Sequence, residues 1–297
     1  MSDKNKSLTT LDPQGHQGAV RLFFNYFNIQ PAKPDWQHLE TILRHFSAIP
    51  YENISKIIKL EKGFTSLERI RLPAEVMEDF ARYHLGGTCF SLTFFLQTIL
   101  ADQGFICYPV IASMRNRPNA HCALIVLFEQ KPCLVDPGYL LTRPMELSKD
   151  NPRHYRTEHT GVELTFNRNN EHFFLCTFDR NQKKWRYFFQ NMPVPPNLFL
   201  QYWYDSFYKS SMHGICLTQV RQDGLAYVHK DLLQISNLNS KQKFKISSNY
   251  HQIIQEIFNI APEWVEHALQ AIEANTVRQK KMGLFQKNER TFLNETD

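Results

Sequence analysis

The chain of 297 residues has no apolar run approaching the roughly 18 residues that a membrane span requires, and its first ten residues are polar where a signal peptide would carry an apolar core. These absences lead us to expect a soluble, cytoplasmic protein. Cysteine is sparse and unpatterned: its six copies, at 89, 107, 122, 133, 176 and 216, show neither Cys-x-x-Cys spacing nor a regular framework. That argues for reduced thiols and against structural zinc, and no metal is expected. Positive charge is not concentrated either. The net charge is +5 and the basic residues are spread, apart from Arg278, Lys280 and Lys281, a cluster that reads as a solvated helix end. No nucleic-acid partner is therefore expected. No internal repeat is found. What the chain does have is apolar mass: 42% hydrophobic residues and 23 Phe, enough for two or three compact units at about 100 to 200 residues each.

The residue with the most chemical content is Cys89. From Leu92 the apolar residues Leu92, Phe95, Leu96, Ile99 and Leu100 recur at i, i+3, i+4, i+7 and i+8, one face of a helix that Gly104 can end. Cys89 then stands at that helix's N-terminus, where unpaired N–H groups favour a thiolate and can receive an oxyanion. Gly86 and Gly87, just upstream, let the chain turn sharply. A lone cysteine of this kind is more often a packed core residue. Downstream, however, the chain supplies a base and an anion to orient it. Cys122 to Phe128 and Pro132 to Val135 read as a hairpin around Glu129-Gln130-Lys131. A two-residue loop at Glu129-Gln130 sets Phe128 opposite Lys131 and Asp136 opposite Ala123, with His121 a diagonal neighbour of Asp136 on the same side. A three-residue loop would separate the two across the sheet. Cys122, beside His121, reads as a packed core thiol rather than a metal ligand or redox partner.

At these residues the chain resembles the arylamine N-acetyltransferase family. Its motif Arg-Gly-Gly-x-Cys-x-Glu-x-Asn is matched by Leu85-Gly86-Gly87-Thr88-Cys89-Phe90-Ser91-Leu92-Thr93, its histidine strand by His121 to Val126, and its Asp-x-Gly-aromatic turn by Asp136-Pro137-Gly138-Tyr139. Upstream, Ile49-Pro50-Tyr51-Glu52-Asn53-Ile54 is similar to the family's Pro-Phe-Glu-Asn-Leu segment. The resemblance runs loosely from Gly18 to Ile260 and is most specific from Ile49 to Tyr139. It implies an α+β fold: a papain-like Cys-His-Asp core with an N-terminal helical unit, a central β-barrel-like unit and a C-terminal α/β lid. It also implies a catalytic triad of Cys89, His121 and Asp136 and a ping-pong reaction. Acetyl-CoA would be the acyl-donor substrate and an arylamine or hydrazine the acceptor, with no membrane partner. Substrate contacts are implied for Phe90, Tyr139, Arg115 and Asn119. The last two lie in Met114 to Ala120, which reads either as a substrate-facing loop suited to a polar or anionic acceptor or as a solvated connection.

The departures from the motif are Leu85 for Arg, Ser91 for Glu and Thr93 for Asn. They suggest a supporting network rebuilt from elsewhere, with Arg82 or His84 as candidates, or a different acyl donor or acceptor. Two alternatives stay open: an acyltransferase, amide synthase or thiol hydrolase using another acyl thioester, and a non-catalytic binding protein with the same fold. Along the chain we expect a loose tail over residues 1–18 and a helical unit over 19–104. A mainly β unit over 105–218, an α/β lid over 219–274 and a polar tail over 275–297 follow. Helices are expected at Ala19 to Phe27, Trp36 to Phe46, Glu75 to Tyr83, Tyr250 to Asn259 and Glu263 to Ala274. Further strands are expected at Phe173 to Phe178, Trp185 to Phe189, Cys216 to Val220 and Ala226 to His229.

Overall fold

In the computed structural model, residues 11–62, 66–157, 159–209 and 212–281 are described. The first part is helical, with α1 at Gln17–Phe27, α2 at Trp36–Phe46, α3 at Ile54–Glu61, α4 at Ser66–Arg69, α5 at Pro73–Tyr83 and α6 at Cys89–Asp102. Local chemistry sets several of these bounds. Asp35 caps α2 by accepting from His38 N at 2.8 Å. Pro73 opens α5, where its missing N–H costs nothing. Gly104, with φ +81°, turns the chain just beyond α6. Later helices are α7 at Pro196–Asp205, α8 at Tyr250–Phe258 and α9 at Pro262–Lys281.

α6 is the centre of the molecule. Its Leu92, Phe95, Leu96, Ile99 and Leu100 pack against α1, α2 and α5 in a core that includes Phe23 and Phe46. Its other side, with Cys89, Phe90 and Phe94, packs against α3, α7 and Trp203. The sequence periodicity identified only the first of these faces. A helix buried on both sides carries little amphipathic contrast, so a one-face pattern understates it.

Two antiparallel sheets complete the α+β fold. The larger runs in the order β5 (Met145–Glu146), β4 (Lys131–Val135), β3 (Arg117–Phe128), β2 (Ile106–Met114), β9 (Lys183–Phe189), β8 (His172–Phe178), β7 (Gly161–Asn167) and β6 (Arg153–Arg156). Its edges curl towards each other as in a barrel: Tyr155 Oη on β6 donates to Glu146 O on β5 at 3.1 Å. The smaller sheet pairs β1 (Tyr51–Glu52) with β10 (Cys216–Arg221), then β11 (Gly224–His229), β12 (Leu232–Ser236) and β13 (Lys241–Lys245). β1 therefore ties the helical part to the C-terminal sheet, a long-range pairing that local sequence patterns do not carry.

Three expected boundaries change. Residues 1–10 of the expected N-terminal tail lie outside the described residues, but Leu11 is buried, Pro13–His16 form a 3-10 turn and α1 already begins at Gln17. The polar tail expected from Asn275 is helical through Lys281. Its polar residues are not all solvated: Asn275 is buried with its amide donating to Ile57 O at 3.1 Å, and Arg278 donates to Leu60 O and Glu61 O, binding carbonyls at the end of α3. Residues 282–297 lie outside the described residues. The expected loop from Met114 to Ala120 is a tight Arg115-Asn116 turn between β2 and β3, with Asn116 at φ 56°. No described helix is long and apolar enough to cross a membrane.

Candidate active site

The hairpin register decides how the site is assembled. β3 and β4 pair from Phe128 with Lys131 to Leu124 with Val135, so the loop is the two residues Glu129 and Gln130, both at positive φ. Continuing that register brings Asp136 opposite Ala123, and His121 Nε2 meets Asp136 Oδ2 at 2.8 Å. Asp136 is fully buried, at 0% exposure. Its Oδ1 accepts from Gly138 N at 2.9 Å and Tyr139 N at 3.2 Å, and its Oδ2 also accepts from Tyr187 Oη at 2.6 Å. A carboxyl group with this many donors is fixed in place and orients the imidazole.

Since Nε2 is bonded to Asp136, His121 presents Nδ1 to Cys89, with which the ring is hydrogen-bonded. Burial pulls the imidazole's pKa down, but the charge and hydrogen bond of Asp136, with the Cys89 thiolate, raise it to about 10. Cys89 is held well below the ordinary thiol range. The largest cause is a hydrogen bond from the Cys122 thiol; burial opposes it, and the His121 hydrogen bond, the His121 charge and the Lys56 charge add to it. Cys122 itself is pushed well up by burial and by Cys89, so it stays a protonated donor. Cys122 Sγ also lies 3.4 Å from Thr93 Oγ1, one helical turn beyond Cys89. The array lowers the thiol and raises the imidazole, which favours the charge state an activated thiol nucleophile needs.

A family model described as N-acetyltransferase matches residues 35–265 of this sequence. The chain belongs to that family. Solved structures agree on the fold. The arylamine N-acetyltransferase from Mycobacterium abscessus superposes with a TM-score of 0.72 at 17% identity, covering 86% of this chain and 94% of that one. That from Salmonella typhimurium gives 0.70 at 17% identity, covering 85% and 98%. The Mycobacterium marinum enzyme in complex with CoA gives 0.69 at 19% identity, covering 86% and 97%. No curated protein sequence matches. The chain is thus a divergent N-acetyltransferase, as the resemblance around Cys89 implied.

Other residues singled out in the sequence fall differently in this acetyltransferase. Tyr139 stands edge-on to the His121 ring at 5.3 Å between centroids and is electrostatically coupled to Cys89 and Arg117. Phe90, expected to touch substrate, is fully buried and packs against Phe199 and Trp203. One residue along a helix is a turn of about 100°, so Phe90 points into the core while Cys89 faces His121. Arg115 is exposed at the β2–β3 turn, and Asn119, at φ 53°, donates its backbone N–H to Ser113 Oγ at 3.1 Å. The basic residues felt by Tyr139 are Arg186 and, more weakly, Arg117, and Arg117 is also felt by Cys216; Arg115 is felt by neither.

Neither Arg82 nor His84 replaces the missing motif groups. Arg82 is exposed and His84 Nε2 pairs with Asn259 Nδ2 at 3.0 Å. Arg71 is the basic group at the motif: it donates to Gly86 O at 3.1 Å and pairs with Glu75 and Asp79, clamping the glycine turn ahead of Cys89. The changed positions lie behind Cys89. Leu85 is buried, Ser91 Oγ donates to Thr88 O at 3.0 Å, and Thr93 Oγ1 donates to Cys122 O at 3.3 Å. Arg71, Lys56, Cys122 and Tyr187 escaped the sequence reading as functional groups. Only Cys122, adjoining His121, carried a local signal.

Gly138 explains the Asp-x-Gly spacing in steric terms. A Cβ there would stand 2.8 Å from His121 Cε1, 3.1 Å from Cys89 Cβ and 3.2 Å from Asp136 Oδ1. Gly138→Ala is expected to tilt the imidazole and cost on the order of 10²-fold in kcat, as for displacements of about 1 Å in reacting groups. Steady-state kinetics beside a melting curve would check this. A loss of stability with full turnover in the surviving folded protein would contradict it.

Proposed function

We propose that this N-acetyltransferase works by a ping-pong mechanism through an acetyl-Cys89 intermediate, with acetyl-CoA as donor and an arylamine or hydrazine as acceptor. The observation that carries the proposal is the buried hydrogen-bonded chain from Cys89 through His121 to Asp136, which holds the thiol below and the imidazole above their ordinary ranges. Cys89 Sγ attacks the acetyl carbonyl carbon, and the negative oxygen faces the unpaired N–H groups of the first turn of α6. Collapse breaks the bond to the CoA sulfur, which leaves with the proton from His121 Nδ1. The neutral imidazole then takes a proton from the attacking amine. The second tetrahedral species expels the Cys89 thiolate, releasing the N-acetylated product and restoring the ion pair. The CoA complex of the Mycobacterium marinum enzyme supports the choice of donor. The positions that depart from the motif bear on how the nucleophile is held, since Leu85 and Thr93 are wholly buried.

Intact-protein mass spectrometry after brief exposure to acetyl-CoA without acceptor tests the reading. One acetyl group on the Cys89 peptide, discharged by an arylamine with formation of the N-acetyl product, is the expected result. A folded protein whose Cys89 alkylates rapidly but takes no acetyl group would overturn the donor assignment. An acetyl-Cys89 stable to arylamines and hydrazines would overturn the acceptor assignment.

The pH dependence follows from the same pair. Because the Cys89 thiol is held well below the ordinary thiol range, its alkylation by iodoacetamide should rise far less between about pH 6 and 9 than that of an ordinary thiol of pKa about 8.5, which gains roughly tenfold per unit below its pKa. Stability follows a matching sign. The His121 pKa is raised from 6.5 to about 10, so its contribution is fully present below about pH 6.5 and is lost as pH rises through 10. An alkylation rate climbing steeply through pH 8 would show that the pair is not formed.

A further inference from the structure

Beside the first turn of α6 lies a small cavity of about 10 Å³ lined by Lys56, Arg69, Arg71, Thr88, Ser91, Trp203 and Phe207. A space of that size holds one water-sized particle. Three of its seven lining residues are cationic. Arg71 is about nine-tenths buried or more, at 5% exposure; its Nη atoms are engaged by Glu75, Asp79 and Gly86 O, and its buried Nε has no hydrogen-bond partner among the described residues. Arg69 donates Nη1 to Tyr208 Oη at 2.8 Å, and its Nε is likewise buried and unpartnered among them. Lys56, at 6% exposure, is bonded only to neutral groups, Ser206 Oγ at 2.6 Å and Ser206 O at 3.2 Å, and lies 4.6 Å from the centre of the Phe207 ring.

A buried ammonium that meets no carboxylate and two buried guanidinium N–H groups left without acceptors are costly unless an acceptor sits between them. Glu75 and Asp79 answer the charge of Arg71, but no described carboxylate pairs with Lys56 or Arg69 through a hydrogen bond or salt bridge. The motif position that would bring an acid to this wall is Ser91, whose hydroxyl donates back to Thr88 O. A water molecule can accept from two of these donors but must direct its own hydrogens somewhere. A monatomic anion accepts from all three and neutralises charge as well.

We propose that this cavity is a binding site for a single halide-sized inorganic anion, chloride in ordinary solution, held by Lys56 Nζ, Arg71 Nε and Arg69 Nε. The anion takes the place of a carboxylate in the packing between α3, α6 and α7. Burial draws the Lys56 ammonium down to about 8 although the negative charge of Cys89 pulls the other way, and a bound anion opposes that shift further.

The test uses bromide as the probe. Crystals of the full chain grown or soaked in sodium bromide should show an anomalous peak in the cavity, and melting in chloride should exceed melting in gluconate at equal ionic strength by roughly 2–4 °C. Lys56→Met, close in shape and uncharged, should lose both effects. Ser91→Asp should lose the bromide peak and melt equally in the two salts, because the carboxylate comes from the chain itself; it serves also if the Lys56 variant does not fold. A wild-type cavity filled by water, with no anomalous signal at high bromide, overturns the proposal whatever the melting curves show. So does a bromide peak that persists unchanged in both variants.

Discussion

Replacing Cys89 with Ala is expected to lower acetyl transfer by on the order of 10⁴- to 10⁶-fold while leaving the fold intact. The size of the loss follows from what the sulfur does in the proposed mechanism. With no nucleophile the acetyl group must pass directly from CoA to the amine, and His121 has no thiolate to pair with. The site would keep its oxyanion donors and its capacity to bind donor and acceptor, so residual catalysis above the solution reaction should persist. Stability should change little, because the side chain is small and the bonds of Asp136 to Gly138, Tyr139 and Tyr187 do not involve it. Removing the thiolate also removes one of the groups that hold the His121 proton, so the imidazole should titrate at lower pH in the variant. Single-turnover kinetics and NMR titration of the His121 ring would measure both consequences. Transfer within tenfold of the parent would mean that the amine attacks the CoA thioester directly, and would remove the acetyl-enzyme from the mechanism. Cys89→Ser is the sharper version. A hydroxyl in place of the thiol keeps the volume but not the acidity, and it should be nearly as inactive.

How much of this was legible beforehand depended on whether the signal was local. The two-residue turn at Glu129-Gln130 sits between two short strands whose pairing register follows from loop length alone, so the approach of His121 to Asp136 could be reasoned from a dozen residues. The start of α6 was similarly readable, because Gly86-Gly87 and the apolar spacing after Leu92 mark it. Phe90, for which the resemblance implied a substrate contact, is turned into the core against Trp203. Side-chain direction on a helix advances with every residue, and proximity in sequence to a reactive group does not confer proximity in space. The supporting groups were invisible for a further reason. Arg71 comes from the segment between α4 and α5, Lys56 from α3 and Tyr187 from β9, 51 residues beyond Asp136. No periodicity or spacing relates them to Cys89; only the closed tertiary structure does. The end of α9 shows the converse error. Asn275 and Gln279 look like tail residues by polarity, yet both are buried, and Asn275 donates to a carbonyl of α3. Polar composition marks exposure only where no buried acceptor is available.

Asp136→Asn is expected to lower turnover by about 10⁴-fold, the loss associated with exchanging a triad carboxylate for its amide. The geometry gives the reason at atomic level. In the parent, Oδ2 accepts from both His121 Nε2 and Tyr187 Oη while Oδ1 accepts two backbone N–H groups. In the variant the amide oxygen can serve the two backbone donors, which leaves its NH₂ facing the imidazole and the phenol. His121 Nε2 must then become an acceptor, so the ring proton moves to Nδ1 and points at sulfur. A neutral ring in that tautomer cannot take a proton from Cys89 or from the incoming amine. Burial, which already works against the imidazolium, would no longer be opposed by the carboxylate, and the His121 pKa should fall from about 10 to below its ordinary value. Cys89 should rise correspondingly, and its alkylation at pH 7 should slow. Stability should drop by roughly 1–3 kcal/mol from the mismatched buried donors. Tyr187→Phe separates the two roles of the carboxylate, since it removes one donor but keeps the His121 bond and the charge; it should retain most of the turnover that Asp136→Asn loses. If instead the amide variant kept a high His121 pKa and a weakly pH-dependent alkylation rate, the ion pair would have to be sustained by the Cys122 and Lys56 contacts alone, and Asp136 would be a turn residue rather than the group that orients the base.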